Sequence, residues 1–163
     1  MISPFSPADH PAIIKLLRLN TPRYFHADEE EYLLRYLHHE ATHYFVHEEN
    51  GQLTAAAGTN FGFNDGKTAR LSWDLVHPRW QGKGIGRQLL QFRLRHIARD
   101  FLVERVEVRT SQMAYLFYRK SGFTLIEIKE NYWSPGFDLY HMYMERGPNG
   151  FGFTGRSDFT SGT

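Results

Sequence analysis

The chain has no cysteine, and its charge is nearly balanced, with 19 basic and 18 acidic residues for a net of +1. The first absence excludes disulfides, thiolate metal sites and a cysteinyl acyl-enzyme. The second argues against a dedicated nucleic-acid binder, which needs a strongly basic surface. No apolar run approaches the roughly 20 residues of a membrane span. The opening Met1-Ile2-Ser3-Pro4-Phe5-Ser6-Pro7 lacks a basic stretch followed by an apolar one, so it does not read as a secretory signal. The expectation is a cytoplasmic protein with no nucleic-acid and no membrane partner. No internal repeat and no His-Glu-x-x-His occurs. The nine histidines do not form a ligand set. His38 and His39 point about 100° apart on a helix, and His43 and His47 have helical spacing in a segment that reads as a strand. No metal is expected.

What remains suits one domain: 163 residues, 41% of them hydrophobic, enough for a core. Ser6-Pro7-Ala8-Asp9 reads as a helix start, with Ser6 as N-cap and Asp9 three residues on. A second helix is predicted over Asp28 to His39. The period then shifts to strands over 42–47 and 52–61, joined at Asn50-Gly51. Leu71, Trp73 and Leu75 alternate with Ser72, Asp74 and Val76, a strand of period two. Leu89, Leu90, Leu94, Ile97 and Phe101 recur at helical spacing over 87–101. Strand, short helix and two strands follow, at 103–109, 111–121, 123–129 and 138–145. With a first strand over Ile2 to Phe5, the order is β, α, α, β, β, β, α, β, α, β, β. Helices then surround one sheet in an α/β domain. Arg87, Arg93, Arg95 and Arg99 read as a solvated face of the long helix, with Arg87 in its first turn as the alternative phosphate contact.

Between that strand and that helix lies Gln81-Gly82-Lys83-Gly84-Ile85-Gly86. Glycines let a backbone approach a ligand without interference from Cβ. The helix that follows aims its unpaired N–H groups and the positive end of its dipole at the same place. A pyrophosphate is the natural occupant. The alternative is a connector that happens to be glycine-rich. A Walker A loop is excluded because Lys83 is followed by no Ser or Thr. The dinucleotide fingerprint is excluded by the Gly82-x-Gly84-x-Gly86 order.

Gln-x-x-Gly-x-Gly after a strand ending Val76-His77-Pro78 resembles the acyl-CoA signature of the GNAT N-acetyltransferase superfamily. Ala114-Tyr115-Leu116-Phe117-Tyr118-Arg119-Lys120-Ser121-Gly122-Phe123 resembles its second motif, Ala-x-x-x-Tyr-x-x-x-Gly-Phe, at the usual interval downstream. The resemblance covers residues 1–146 and implies a mixed, mostly antiparallel central sheet flanked by helices. It further implies transfer of an acetyl group from acetyl-CoA, as co-substrate, to a small-molecule or peptide amine by direct attack in a ternary complex. The alternative is a non-catalytic acyl-CoA-binding or regulatory module on the same fold.

By that resemblance, Tyr118 would protonate the departing thiolate. A phenol of pKa ~10 keeps its proton near neutrality. Asp74, Leu75 and Val76 would line the thioester and pantetheine arm, with a backbone N–H near Val76 meeting the oxyanion. Gln81, Gly82, Lys83, Gly84, Ile85, Gly86 and Arg87 would wrap the pyrophosphate. The family's common asparagine falls at Ser111 by helix count or Gln112 by strand count. Glu107 aligns with a glutamate base of some members, although Arg109 on the same face could simply pair with it. Asp74 and His77 are the other base candidates. Arg70 stands where another branch carries a glutamate. Tyr24, Phe25, His26, Tyr132, Trp133 and Tyr140 suggest an aromatic-walled acceptor pocket or, equally, a homodimer contact. Residues 147–163, with five glycines, three phenylalanines and no clear period, read as a flexible tail. The rival view has Phe151, Phe153 and Phe159 docking on this chain or a neighbour.

Overall fold

The helix-start signal near the N-terminus does what its spacing predicts. In the computed structural model, which describes residues 1–152, the Asp9 carboxylate accepts the Ser6 N–H at 2.8 Å. A single 3-10 turn, Pro7–Asp9, then leads into α1 (His10–Leu19). The second helix, α2 (Glu29–His39), opens with three glutamates and closes with two histidines. That order complements the helix dipole. α3 (Ile85–Ala98) follows the glycine turn, and α4 (Tyr115–Lys120) is short.

Seven strands form one sheet: β1 (Ile2–Pro4), β2 (Tyr44–Glu49), β3 (Gln52–Phe63), β4 (Thr68–Val76), β5 (Arg105–Thr110), β6 (Thr124–Ser134) and β7 (Phe137–Glu145). Their spatial order is β1-β2-β3-β4-β5-β7-β6. β4 and β5 run parallel, and the other neighbours run antiparallel. α1 and α2 cover one face through Ile13, Leu16, Leu17, Leu33 and Leu37. α3 and α4 cover the other through Leu90, Leu94, Ile97, Tyr118 and their neighbours. Among the described residues no helix is long and apolar enough to cross a membrane.

The predicted alternation of β4 fails at one residue. Ala56 pairs with Leu75 but Gly58 pairs with Ser72, so Ala57 opposes both Trp73 and Asp74. Trp73 carries φ +49°, a costly conformation for a bulky side chain. One extra residue reverses the facing of everything beyond it. Leu71 therefore packs on the α3 side and Leu75 on the α1 side, although period two would put them together. Asp74 turns towards α3.

β4 and β5 also part company. Their pairing runs from Thr68–Arg105 to Leu71–Val108 and stops there, leaving the ends of both strands splayed beyond the bulge.

At the C-terminal end, Phe151 is 5% exposed within the α3 core, with the Arg146 guanidinium over its ring at 4.8 Å. Packing thus reaches five residues past position 146. Phe153 and Phe159 lie outside the described residues.

Candidate active site

The splay opens a cavity of about 760 Å³ that runs from the glycine turn, between β4 and β5, to the face beneath α2. Its β4 wall is backbone. The His77 N–H donates to the Thr54 carbonyl at 2.8 Å, and antiparallel pairing alternates along a strand. The N–H and C=O of Val76 therefore face away from β3, towards the gap where β5 no longer pairs. The carbonyl is taken by Asn20 Nδ2 at 3.0 Å and Gln81 Nε2 at 3.2 Å. The N–H is left to face the gap.

Glycine is required at two positions of the turn. Gly82 has φ +73° and Gly84 φ +84°, and a Cβ built on either would meet nothing within 4 Å. The space over both is open, which is the shape a pyrophosphate cradle needs. Gly86 lies in the first turn of α3, where a Cβ would make ordinary contacts at 3.7 Å with Phe117 and Val76. Gln81 shapes the turn from within. Its amide donates to Asn20 Oδ1 at 3.0 Å and its oxygen receives the Tyr24 hydroxyl at 3.4 Å.

The second motif is a helix terminus. The Phe123 N–H donates to the Tyr118 carbonyl at 3.0 Å, and the Gly122 N–H to Arg119 at 3.1 Å. With Gly122 at φ +99°, this is a Schellman motif, and its apolar contact is Phe123 against Tyr118, rings 5.6 Å apart. The Gly-Phe pair thus ends α4 and seats the Tyr118 ring in one stroke.

The Tyr118 hydroxyl donates to Asp74 Oδ2 at 2.7 Å. Asp74 is gripped by Arg93, whose Nη1 and Nη2 donate at 2.8 and 2.6 Å. Arg93 is fully buried and also donates to the Gly58 carbonyl at 2.9 Å, on the strand facing the bulge. Burial, and then the Asp74 charge, pushes the Tyr118 phenol well above its ordinary pKa. It stays protonated at any working pH.

The sequence pattern of the acetyltransferase (GNAT) domain matches residues 18–146. The chain belongs to the GNAT acetyltransferase family. A curated relative, the N-alpha-acetyltransferase RimI of Mycobacterium tuberculosis (strain ATCC 25618 / H37Rv), is 34% identical over 111 residues, covering 64% of this chain and 67% of the relative. Among solved structures, the ribosomal-protein-S18-alanine N-acetyltransferase of Escherichia coli superposes with a TM-score of 0.74 at 22% identity, over 93% of this chain and 98% of that one. An aminoglycoside 6'-N-acetyltransferase complexed with coenzyme A gives a TM-score of 0.71 at 15% identity, over 89% and 96%. The two structures speak to the fold.

Measured against the sequence expectations, this GNAT domain brings most of the site together. Asp74, Val76, Gln81, Gly82, Gly84, Ile85, Gly86, Arg87, Ser111 and Tyr118 all line the cavity, as do Tyr24, Phe25 and Trp133. Leu75 turns its side chain into the α1 core. Lys83 lies outside the lining, its ammonium 4.9 Å from the Trp80 ring centre. Of the two asparagine equivalents, Ser111 lines the cavity, while Gln112 spends its amide on Gly136 O and Asp138 N of the β6–β7 hairpin. Glu107 does not line the cavity. It faces a separate polar hollow and is held by His141 Nε2 at 3.0 Å, Arg70 at 3.6 Å and Arg105 at 3.9 Å. Arg109 does not pair with it, donating instead to the Tyr132 hydroxyl at 2.7 Å. His77 is also outside the lining; its Nδ1 accepts the Arg79 N–H at 3.1 Å.

Arg93 was the residue to find. It reads as part of a solvated arginine face, yet it falls at i+4 from Leu89 and i−4 from Ile97, inside the buried stripe. Among the described residues no group of three or more His, Cys, Asp or Glu could hold a metal ion.

Proposed function

We propose that this protein is an N-acetyltransferase that moves the acetyl group of acetyl-CoA to an amine by direct attack within a ternary complex. The observation that carries the reading is the splay of β4 from β5, with an open glycine cradle at one end and the Tyr118 hydroxyl in its wall. The names of the relatives point the same way, since each is an N-acetyltransferase.

Acetyl-CoA supplies an activated thioester; the chain's own groups do the rest. The backbone of Gly82 to Arg87 and the N-terminus of α3 meet the pyrophosphate. The Val76 N–H, facing the gap, meets the oxygen on which negative charge develops. Tyr118 turns its single proton from Asp74 to the departing sulfur, and the neighbouring Arg93 meets the phenolate that forms; a thiol of pKa ~8.5 and an amine of pKa ~10.4 make both proton transfers matter near neutrality. Glu107, outside the cavity, we assign to fixing Arg70 in the cavity wall. Removal of the amine proton then falls to a carboxylate that lines the cavity, Asp74, Glu29 or Glu40, or to solvent.

The test is release of free CoA from acetyl-CoA against a panel of small and peptide amines, beside calorimetric binding of CoA. Amine-dependent release is expected. Tight CoA binding without release against any amine would favour the non-catalytic module. Absence of CoA binding would end both readings.

A further inference from the structure

Three residues distant in sequence meet in the half of the cavity beneath α2. The Tyr36 hydroxyl donates to Asn60 Oδ1 at 2.9 Å, and the Ser72 hydroxyl donates to the same oxygen at 2.6 Å. The Asn60 amide cannot turn round, because its Nδ2 donates to the Glu40 carbonyl at 2.9 Å. Each hydroxyl has a single proton and two lone pairs. Both protons are therefore spent on Asn60, and towards the cavity Tyr36 and Ser72 present lone pairs alone. All three residues line that cavity. Burial pushes the Tyr36 phenol up to about 12, so it remains a hydroxyl. The seat is built with care: a Cβ on Gly58 would lie 2.7 Å from the Tyr36 hydroxyl.

Two fixed acceptors at one place select a group rich in N–H, although the Arg70 guanidinium lines the same cavity. An alcohol or thiol nucleophile offers one hydrogen, and a carboxylate offers none and would be repelled by the lone pairs. A primary amine offers two and keeps its lone pair free for attack. Phe25, Trp73 and Trp133 on the surrounding wall suit the apolar body that carries it.

We propose that Tyr36 and Ser72, oriented by Asn60, form the docking pair for a primary amine group, and that this pair makes the site select primary over N-methylated acceptors. The proposal rests on the acetyltransferase reading, because it gives the amine of that reaction its place.

The experiment uses the CoA-loaded full chain and two probe sets: 2-phenylethylamine with its N-methyl and N,N-dimethyl forms, and a short peptide amide with a free or N-methylated α-amine. Binding is followed by ligand-observed NMR or calorimetry. In the parent, affinity should fall stepwise with methylation. Tyr36→Phe and Ser72→Ala should each weaken the primary amine by about 10-fold, the scale of one hydrogen bond. The double variant should bind the three phenylethylamines alike. CoA affinity should stay within about twofold of the parent, which separates this result from a failure of the acetyltransferase reading. Unaltered primary-amine affinity in the double variant would overturn the proposal. So would a parent that binds CoA and neither primary amine, or that prefers the N,N-dimethyl form.

Discussion

Tyr118→Phe removes one oxygen from a fully packed setting, and the structure says what should follow. The ring is 3% exposed and lies between Phe117, at 5.0 Å, and Phe123, at 5.6 Å. Phenylalanine keeps those contacts and the Schellman turn. What goes is the 2.7 Å bond to Asp74. Asp74 is not orphaned, because Arg93 still holds it with two bonds. The stability cost is therefore that of a hydrogen bond to a charged group, about 1.5–3 kcal/mol. It should fall short of the about 3–5 kcal/mol of breaking a buried ion pair, which Arg93→Met would incur. Turnover should fall by roughly 10²-fold, the low end for loss of a general acid. CoA affinity should hold, because the bond to sulfur develops only in the transition state.

Two assays test the cause of that loss. Acyl donors with leaving thiols of lower pKa need less protonation, so the gap between parent and variant should close along such a series. The parent's rate should show no alkaline limb from Tyr118 below about pH 10, since burial and Asp74 keep the phenol protonated there. Equal turnover of parent and variant, with the chemical step shown to be rate-limiting, would reduce Tyr118 to a packing residue. A deficit that ignores thiol pKa would mean that the hydroxyl acts by holding Asp74 in place.

Further outcomes are expected. Gly84→Val should weaken CoA binding, read by calorimetry, more than it lowers the melting temperature, because the open space over φ +84° is where a phosphate would sit; parental CoA affinity in a folded variant would leave the turn a connector. Phe151→Ala should cost about 3–5 kcal/mol in denaturant unfolding, as for a large core residue, and truncation before Phe151 should do the same while a cut after Gly152 spares that contact. In alkali, stability should decline from about pH 10 upwards. Burial raises Tyr36 to about 12, and Tyr44 and Tyr118 also lie well above their ordinary value, so between pH 10 and 12 the unfolded chain sheds protons that the native state retains. Tyr36 alone then contributes a loss of about 2 kcal/mol across that interval, measurable by urea unfolding at stepped pH; a flat profile would contradict the buried tyrosine cluster.

The parts of the site that could be read from sequence are those whose residue types are dictated locally. Gly82 and Gly84 are needed for positive φ whatever surrounds them, and the Tyr118 to Phe123 spacing is a helix terminus with its own hydrogen bonds. Both are short-range and leave a mark in consecutive residues. The docking of Phe151 was legible only as the rival to a flexible tail, because one side chain packing after the last strand has no period. The Tyr36–Asn60–Ser72 cluster left no such mark, since three segments must first be folded together.

Two misreadings share a single origin. Alternation through Leu71, Trp73 and Leu75 suggests an unbroken strand, and an arginine on α3 suggests solvent. The bulge at Trp73 corrects both at once. It inserts one residue opposite Ala57, turns Asp74 from the α2 face to the α3 face, and so brings a carboxylate under the sheet. A carboxylate there needs a buried cation, and Arg93, within the buried stripe of α3, reaches it with two hydrogen bonds. The same insertion leaves Ser72 facing Asn60 on the opposite side. One residue out of register thus divides β4 between the two ends of the reaction. Asp74 holds the hydroxyl proposed to protonate the leaving sulfur, and Ser72 helps to seat the proposed amine. Straightening the strand by deleting one residue at this point should therefore damage both functions together, an effect that no single side-chain change in the site would reproduce.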